Sequence, residues 1–204
     1  TSTEFHRPGG PFALVPMKGN QCSVVWVENS DRAEELIKLP KDAFQNAVQE
    51  ASKDLLGAIT LESAPQCWPL KAMKAPSMTA SRTALIAETI HVMSPITAQG
   101  LNLSLRDVAT LAEVIVDAAR IGADYGSQSI LRKYQKRRAF DIDTRTFGVS
   151  FLNQFVNTDK LPIKDMRRAG LKIVENITPL KMMAMKHGLA PTLDEGRLVR
   201  GEAL

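Results

Sequence analysis

Between residues 88 and 107 the chain carries Glu88, His91, Pro95, Gln99, Gly100, Asn102 and Asp107, set between an apolar run and an amphipathic one. The apolar run, Thr83-Ala84-Leu85-Ile86-Ala87, reads as a buried strand. The amphipathic run begins near residues 99–102 and ends at Gly122, with Leu101, Leu105, Val108, Leu111, Ile115 and Ala119 on one helical face. The first N–H groups of a helix have no intrahelical partners, and the helix dipole adds positive potential there. An anion or a carbonyl-bearing ring is therefore favoured at such a start. Gly100 has no Cβ to hold a ligand off the backbone. Pro95 stiffens the approach, and Glu88, just past the strand, is placed to grip a ribose hydroxyl. By residue type alone, this pattern also fits many strand–loop–helix units that hold no ligand.

The elements around this unit are legible in the patterning. Pro8-Gly9-Gly10-Pro11 is a strong breaker. Residues 12–17 and 22–27 then read as two strands joined near Gly19-Asn20, a hairpin. Pro40 falls at a first helical position, and Phe44, Val48, Ala51 and Leu55 follow at helical spacing with Gly57 as the stop. Residues 58–63 and 65–71 look extended. A long helix is expected over about 127–157 with a break near Gly148, and another over about 162–176. A short last piece follows Pro179.

Composition narrows the function classes. The 204 residues are 44% hydrophobic and 24% charged, the balance of a folded domain and not of a disordered chain. No apolar run approaches the ~20 residues that span a bilayer. Two cysteines, Cys22 and Cys67, are too few for a disulfide scaffold. Both read as buried thiols of a reducing compartment, which gives a cytoplasmic reading. Neither His6 nor His187 has a Cys or His neighbour, so no metal site is expected. Charge is uneven: residues 1–130 hold 11 basic and 14 acidic side chains, residues 131–204 hold 15 and 8. Lys164, Arg167, Arg168, Lys172, Lys181 and Lys186 are placed to meet an anionic membrane surface, with a solvated face as the plainer reading. No aromatic-interleaved basic patch points to nucleic acid.

Residues 84–107, ALIAETIHVMSPITAQGLNLSLRD, resemble the second flavin-binding motif of the class A FAD-dependent aromatic hydroxylases, in particular the ubiquinone-biosynthesis hydroxylases. That motif is a Gly-Asp pair, a His, a Pro, then Gln-Gly-x-Asn and a helix carrying Asp. The likeness extends along the chain. Residues 4–26 resemble the subfamily's paired substrate-domain strands, and Trp68-Pro69-Leu70 its aromatic-Pro-Leu strand. Leu131, Tyr134 and Arg138 resemble its Leu-x-x-Tyr-x-x-x-Arg helix, and residues 180–188 its C-terminal helix. The family's N-terminal G-x-G-x-x-G has no counterpart among the twelve glycines. With Thr1 at its start, the chain is read as the C-terminal half of a flavoprotein, inactive alone.

The resemblance implies an α+β fold in three parts. Residues 1–80 form part of an antiparallel substrate-domain sheet with one helix, 81–125 the second FAD motif, and 126–204 the C-terminal helices. It implies that Glu88 meets the ribityl–pyrophosphate region of FAD and that Pro95 lies near the reactive edge of the isoalloxazine. The N–H groups of Gly100, Leu101 and Asn102 then face its pyrimidine carbonyls, where negative charge gathers on reduction, and Gln99 is a further cofactor contact. Asp107 and His91 are given structural roles, and no residue is assigned as catalytic. Ala87-Glu88 replaces the Gly-Asp pair, Ser94 stands where some relatives carry a second Pro, and Thr97 stands at a usually small position. The implied activity is hydroxylation of a polyprenylated phenol in ubiquinone biosynthesis with NAD(P)H and O2. Met182, Met183 and Met185 are candidates to line an isoprenoid pocket. The implied partners are other quinone-biosynthesis proteins and the inner face of a membrane. The alternatives are a flavin-free lipid-binding or scaffolding subunit and a hydroxylase of a soluble aromatic.

Overall fold

The structure is a computed structural model that describes residues 1–95, 98–156, 176–179, 182 and 196–204. The architecture is α+β. The chain divides into two compact units, one built on Thr1–Leu70 and the other on Lys71–Gln154 with the described C-terminal residues 196–204.

In the first unit, β1 (Thr3–Arg7), β2 (Gly10–Pro16) and β3 (Cys22–Trp26) form an antiparallel sheet in chain order. Phe5 pairs with Phe12, and Phe12 with Trp26, so the three rings line one face. The Phe12 and Trp26 rings meet edge to face at 5.3 Å, an arrangement that suits their quadrupoles. Helices α1 (Ser30–Ile37) and α2 (Lys41–Ala51) follow. Val48 and Ala51 of α2 join Phe12 and Leu14 in the core. The expected hairpin is present. Helix α1 was not legible as a separate element, although Asn29 and Asp31 mark its start. Pro40 caps α2 instead of opening it. That helix also ends before Leu55, which is exposed because Lys53 and Asp54 turn the backbone left-handed. Residues 58–71 join no ladder; Ile59 and Leu61 give their N–H groups to the side chains of Gln49 and Gln45. Cys67 lies in this stretch and is exposed, against the expected burial, because no sheet forms to cover it.

The second unit opens with three short antiparallel pieces. These are β4 (Met73–Lys74), β5 (Thr79–Ala80) and β6 (Thr83–Ala84), with β7 (His91–Val92) beyond; β4 pairs with β7 and β5 with β6. The apolar run 83–87 is therefore only partly a strand. Its ladder stops at Ala84, and a 3-10 turn over Ala87–Thr89 replaces the rest. Ala87 takes φ +58°, which ends an extended run, and its N–H bonds to Asp107 instead of a neighbouring strand.

Helix α3 (Gly100–Arg120) and helix α4 (Gln128–Val156) supply most of the remaining core. Helix α3 starts and stops as expected, with Gly122 left-handed just beyond it. Helix α4 runs without interruption past Gly148. Ile90, Leu103, Val114, Ala118, Ile130, Tyr134 and Ile142 pack together. The backbone of the C-terminal segment returns to α3, where Arg197 N–H donates to Glu113 Oε2 at 2.6 Å.

The face of α3 differs from the expected one. Leu101 is 71% and Leu105 57% exposed, and Val108 is exposed as well. The buried face holds Leu103, Arg106, Asp107, Thr110, Glu113, Val114 and Ala118. Arg106, Asp107 and Glu113 go inside because each meets a charged or hydrogen-bonding partner there, which an apolar periodicity cannot register. Residues 162–175 of the expected helix over 162–176, the six basic residues from Lys164 to Lys186, His187, Met183 and Met185 lie outside the described residues. Met182 is exposed.

Candidate functional site

Asp107 is fully buried on α3 and receives three donors. Arg138 Nε donates to Oδ1 at 2.7 Å. His91 Nε2 lies 2.8 Å from Oδ2, and Ala87 N–H donates to the same oxygen at 3.0 Å. A carboxylate only accepts, so the imidazole proton sits on Nε2. One side chain thus fixes the 3-10 turn that carries Glu88, the strand that carries His91, and helix α4. Asp107 and His91 thus tie these elements together through buried contacts. Tyr134 completes the support by donating its hydroxyl to Leu85 O at 2.9 Å. Burial, and then the charge of Asp107, push that phenol well above its ordinary pKa.

A second acidic group extends the network toward the start of α3. Asp141 accepts from Arg138 Nη1 at 2.7 Å and from Arg145 Nε at 2.7 Å. Burial raises its pKa, but the hydrogen bonds from Arg145 and Arg138 outweigh that and hold the carboxyl below its usual range. Arg145 also donates through Nη1 to Gln99 Oε1 at 2.8 Å. Arg106 is 7% exposed, and its Nη1 stands 3.7 Å from Asp141 with no hydrogen-bond partner among the described residues. Burial and the neighbouring Arg145 push its guanidinium below the ordinary value, with Asp141 opposing.

The expected site residues fall as follows. Gln99, Gly100, Leu101 and Asn102 form the start of α3, with Leu101 and Asn102 exposed. The Gln99 side chain makes no cap hydrogen bond, and Leu103 N–H makes the first helical bond, to Gln99 O at 3.0 Å. The helix therefore makes no use of the Gly100, Leu101 and Asn102 amides. Space is open where a Cβ on Gly100 would sit. Glu88 and Pro95 are exposed, and Pro95 O accepts from Ala98 N–H at 2.9 Å. Ala98, like Ala87, is left-handed, at φ +50°. Amides that the helix itself does not use, a missing Cβ and nearby guanidinium groups suit a planar ring with electron-rich carbonyls. Sequence reasoning missed Asp141 and Arg145. Their signal was the i, i+3, i+7 spacing of Arg138, Asp141 and Arg145 along one face of α4.

Comparison with known proteins agrees with this architecture. The chain is 36% identical over 207 residues to the ubiquinone hydroxylase UbiL of Rhodospirillum rubrum, covering 100% of this chain and 48% of that protein. It is 30% identical over 182 residues to the 3-demethoxyubiquinol 3-hydroxylase of Escherichia coli, covering 89% of this chain and 46% of that one. The chain thus spans about half the length of these curated relatives. In fold it is similar to PqsL of P. aeruginosa, with a TM-score of 0.61 at 20% identity over 77% of this chain and 47% of that one. The profile of the FAD binding domain family matches residues 2–143. On that match the chain belongs to the FAD binding domain family.

Proposed function

We propose that the protein containing this chain is an FAD-dependent monooxygenase that hydroxylates a polyprenylated phenol in ubiquinone biosynthesis. The observation that carries this reading is 36% identity over the whole chain to a ubiquinone hydroxylase. Bound FAD supplies the redox chemistry, two electrons from NAD(P)H and activation of O2. The chain's own residues bind and orient. The Gly100, Leu101 and Asn102 amides take the pyrimidine carbonyls, and Gln99 borders them. Their fixed dipoles stabilise negative charge on the ring without reorganising. Pro95 walls the reactive edge, and Glu88 takes a hydroxyl of the ribityl–pyrophosphate region. Asp107 holds the Glu88 turn in register with the helix. No side chain here is assigned as a general base.

Among the described residues no helix is long and apolar enough to cross a membrane. The reading places the protein on the cytoplasmic face of a membrane, with other quinone-biosynthesis proteins as partners; the basic C-terminal third supports this. The test is the visible absorption spectrum of the protein from the complete reading frame, purified without added cofactor. Flavin bands are expected. A protein that stays colourless in excess FAD would overturn the reading in favour of a lipid-binding or scaffolding subunit.

A further inference from the structure

Arg145 occupies an unusual place. A cation at a helix N-terminus opposes the dipole and costs stability, yet Arg145 reaches the first residues of α3 and is fixed there at two points. Its Nε bonds to Asp141 and its Nη1 to Gln99. Asp141 is held in turn by Arg138, and Arg138 by the fully buried Asp107. Among the described residues, three guanidinium groups, Arg106, Arg138 and Arg145, share two carboxylates, Asp107 and Asp141, at this end of α3. The unsatisfied Nη1 of Arg106 lies in the same cluster. A cation that opposes the helix dipole at this start points to a task there besides stabilising the helix.

We propose that Arg145 is a positioning residue for the start of α3, an inference that rests on the flavin reading above. Arg145 holds the Gln99 carboxamide oxygen away from the first-turn amides, which would otherwise be its nearest donors. The Gly100, Leu101 and Asn102 N–H groups therefore remain presented to a ligand. The fork geometry matters: Nε and Nη1 of one planar group reach two acceptors at once, whereas a lysine ammonium is a single point. The clamp also keeps Gln99 O in line for the Leu103 amide, the first bond of the helix.

The test uses the protein from the complete reading frame, with Arg145→Met and Arg145→Lys. Three quantities are read: FAD affinity of the apoprotein by flavin fluorescence, the flavin midpoint potential, and amide hydrogen exchange along α3. With Met, FAD binding is expected to weaken about tenfold, the scale of one lost charge-assisted contact. The potential should fall, because the reduced, more negative ring loses most. Exchange at Leu103 should quicken while Val114 and Ala118 keep their rates, which separates a local clamp from general destabilisation. Lys should behave as Met. Unchanged affinity, potential and exchange in Arg145→Met would overturn the proposal. So would full rescue by Lys, or exchange that rises equally at Val114. If the wild-type protein binds no flavin, the flavin reading falls and exchange decides the clamp: faster exchange at Leu103 supports it, and an unchanged rate overturns it.

Discussion

Arg138 donates Nε–H to Asp107 Oδ1 across 2.7 Å, with both side chains buried. The pair joins α4 to α3, and through the second oxygen of Asp107 it reaches His91 and the Ala87 amide. Removing one partner leaves a buried charge uncompensated, which typically costs about 3–5 kcal/mol. Asp107→Leu and Arg138→Met should each lower the unfolding free energy, read from urea titration, by that scale. The double variant Asp107→Leu with Arg138→Met should lose less than the two single losses added together. Simple additivity in the double-mutant cycle would show that the two residues do not act as a pair.

Ala87 and Ala98 sit at φ +58° and φ +50°, a region where a Cβ costs about 1–2 kcal/mol and glycine costs little. The resembled motif carries Gly at the position of Ala87, and the left-handed turn is the physical reason. Glycine also enlarges the unfolded ensemble, which offsets part of the gain. Ala87→Gly should therefore raise stability by up to about 1 kcal/mol, seen as a higher denaturation midpoint. A drop instead would mean that the alanine methyl contributes packing that outweighs its strain.

Two carboxyls make the second unit acid-sensitive. Asp141 and Glu113 are both pushed up by burial and pulled down further by hydrogen bonds. The donors are Arg145 and Arg138 for Asp141, and the Arg197 amide and the Arg137 side chain for Glu113. A folded value below the unfolded one means the unfolded chain binds protons first as pH falls. Their stabilisation is complete above the unfolded values, about 3.9 for Asp and 4.3 for Glu, and is lost as pH drops through the folded values. Unfolding free energy measured from pH 7 to pH 3 should fall steeply below about pH 4–5. Asp141→Asn should flatten that fall while lowering the plateau.

Leu101, Leu105 and Val108 form an exposed apolar stripe along α3. Contiguous apolar surface promotes association. The 204-residue chain on its own should self-associate in a concentration-dependent way, and Leu105→Glu should reduce that while changing stability by no more than about 0.5 kcal/mol. Sedimentation velocity at several concentrations reads the first outcome and thermal unfolding the second. A monodisperse wild-type chain at high concentration would contradict the prediction.

Part of the frame around these residues was legible before the fold. The start of α3 at Gly100 and its stop at Gly122 follow from local patterning, because caps, breakers and helical spacing act within a few residues. The Leu131, Tyr134 and Arg138 series was legible as a motif, and all three are buried. What those residues touch was not. Tyr134 meets Leu85 across 49 positions and Arg145 meets Gln99 across 46, distances over which a sequence gives no geometry. The strand expected over 83–87 failed for a similar reason: the Ala87 amide bonds to a side chain 20 residues away.

The sequence by itself determined the presence of α2, α3 and α4, the hairpin, the flavin-type motif and the family, since each rests on local spacing or on residue identity in order. Only the tertiary structure decided which face of α3 is buried. Apolar periodicity marks a face that gains from being covered, and Leu101, Leu105 and Val108 have that spacing. Burial went instead to the face of Arg106, Asp107 and Glu113, where charged partners from α4 and the C-terminal segment offset the desolvation of polar groups. That balance depends on groups meeting across the fold, and it exists only once the fold has formed.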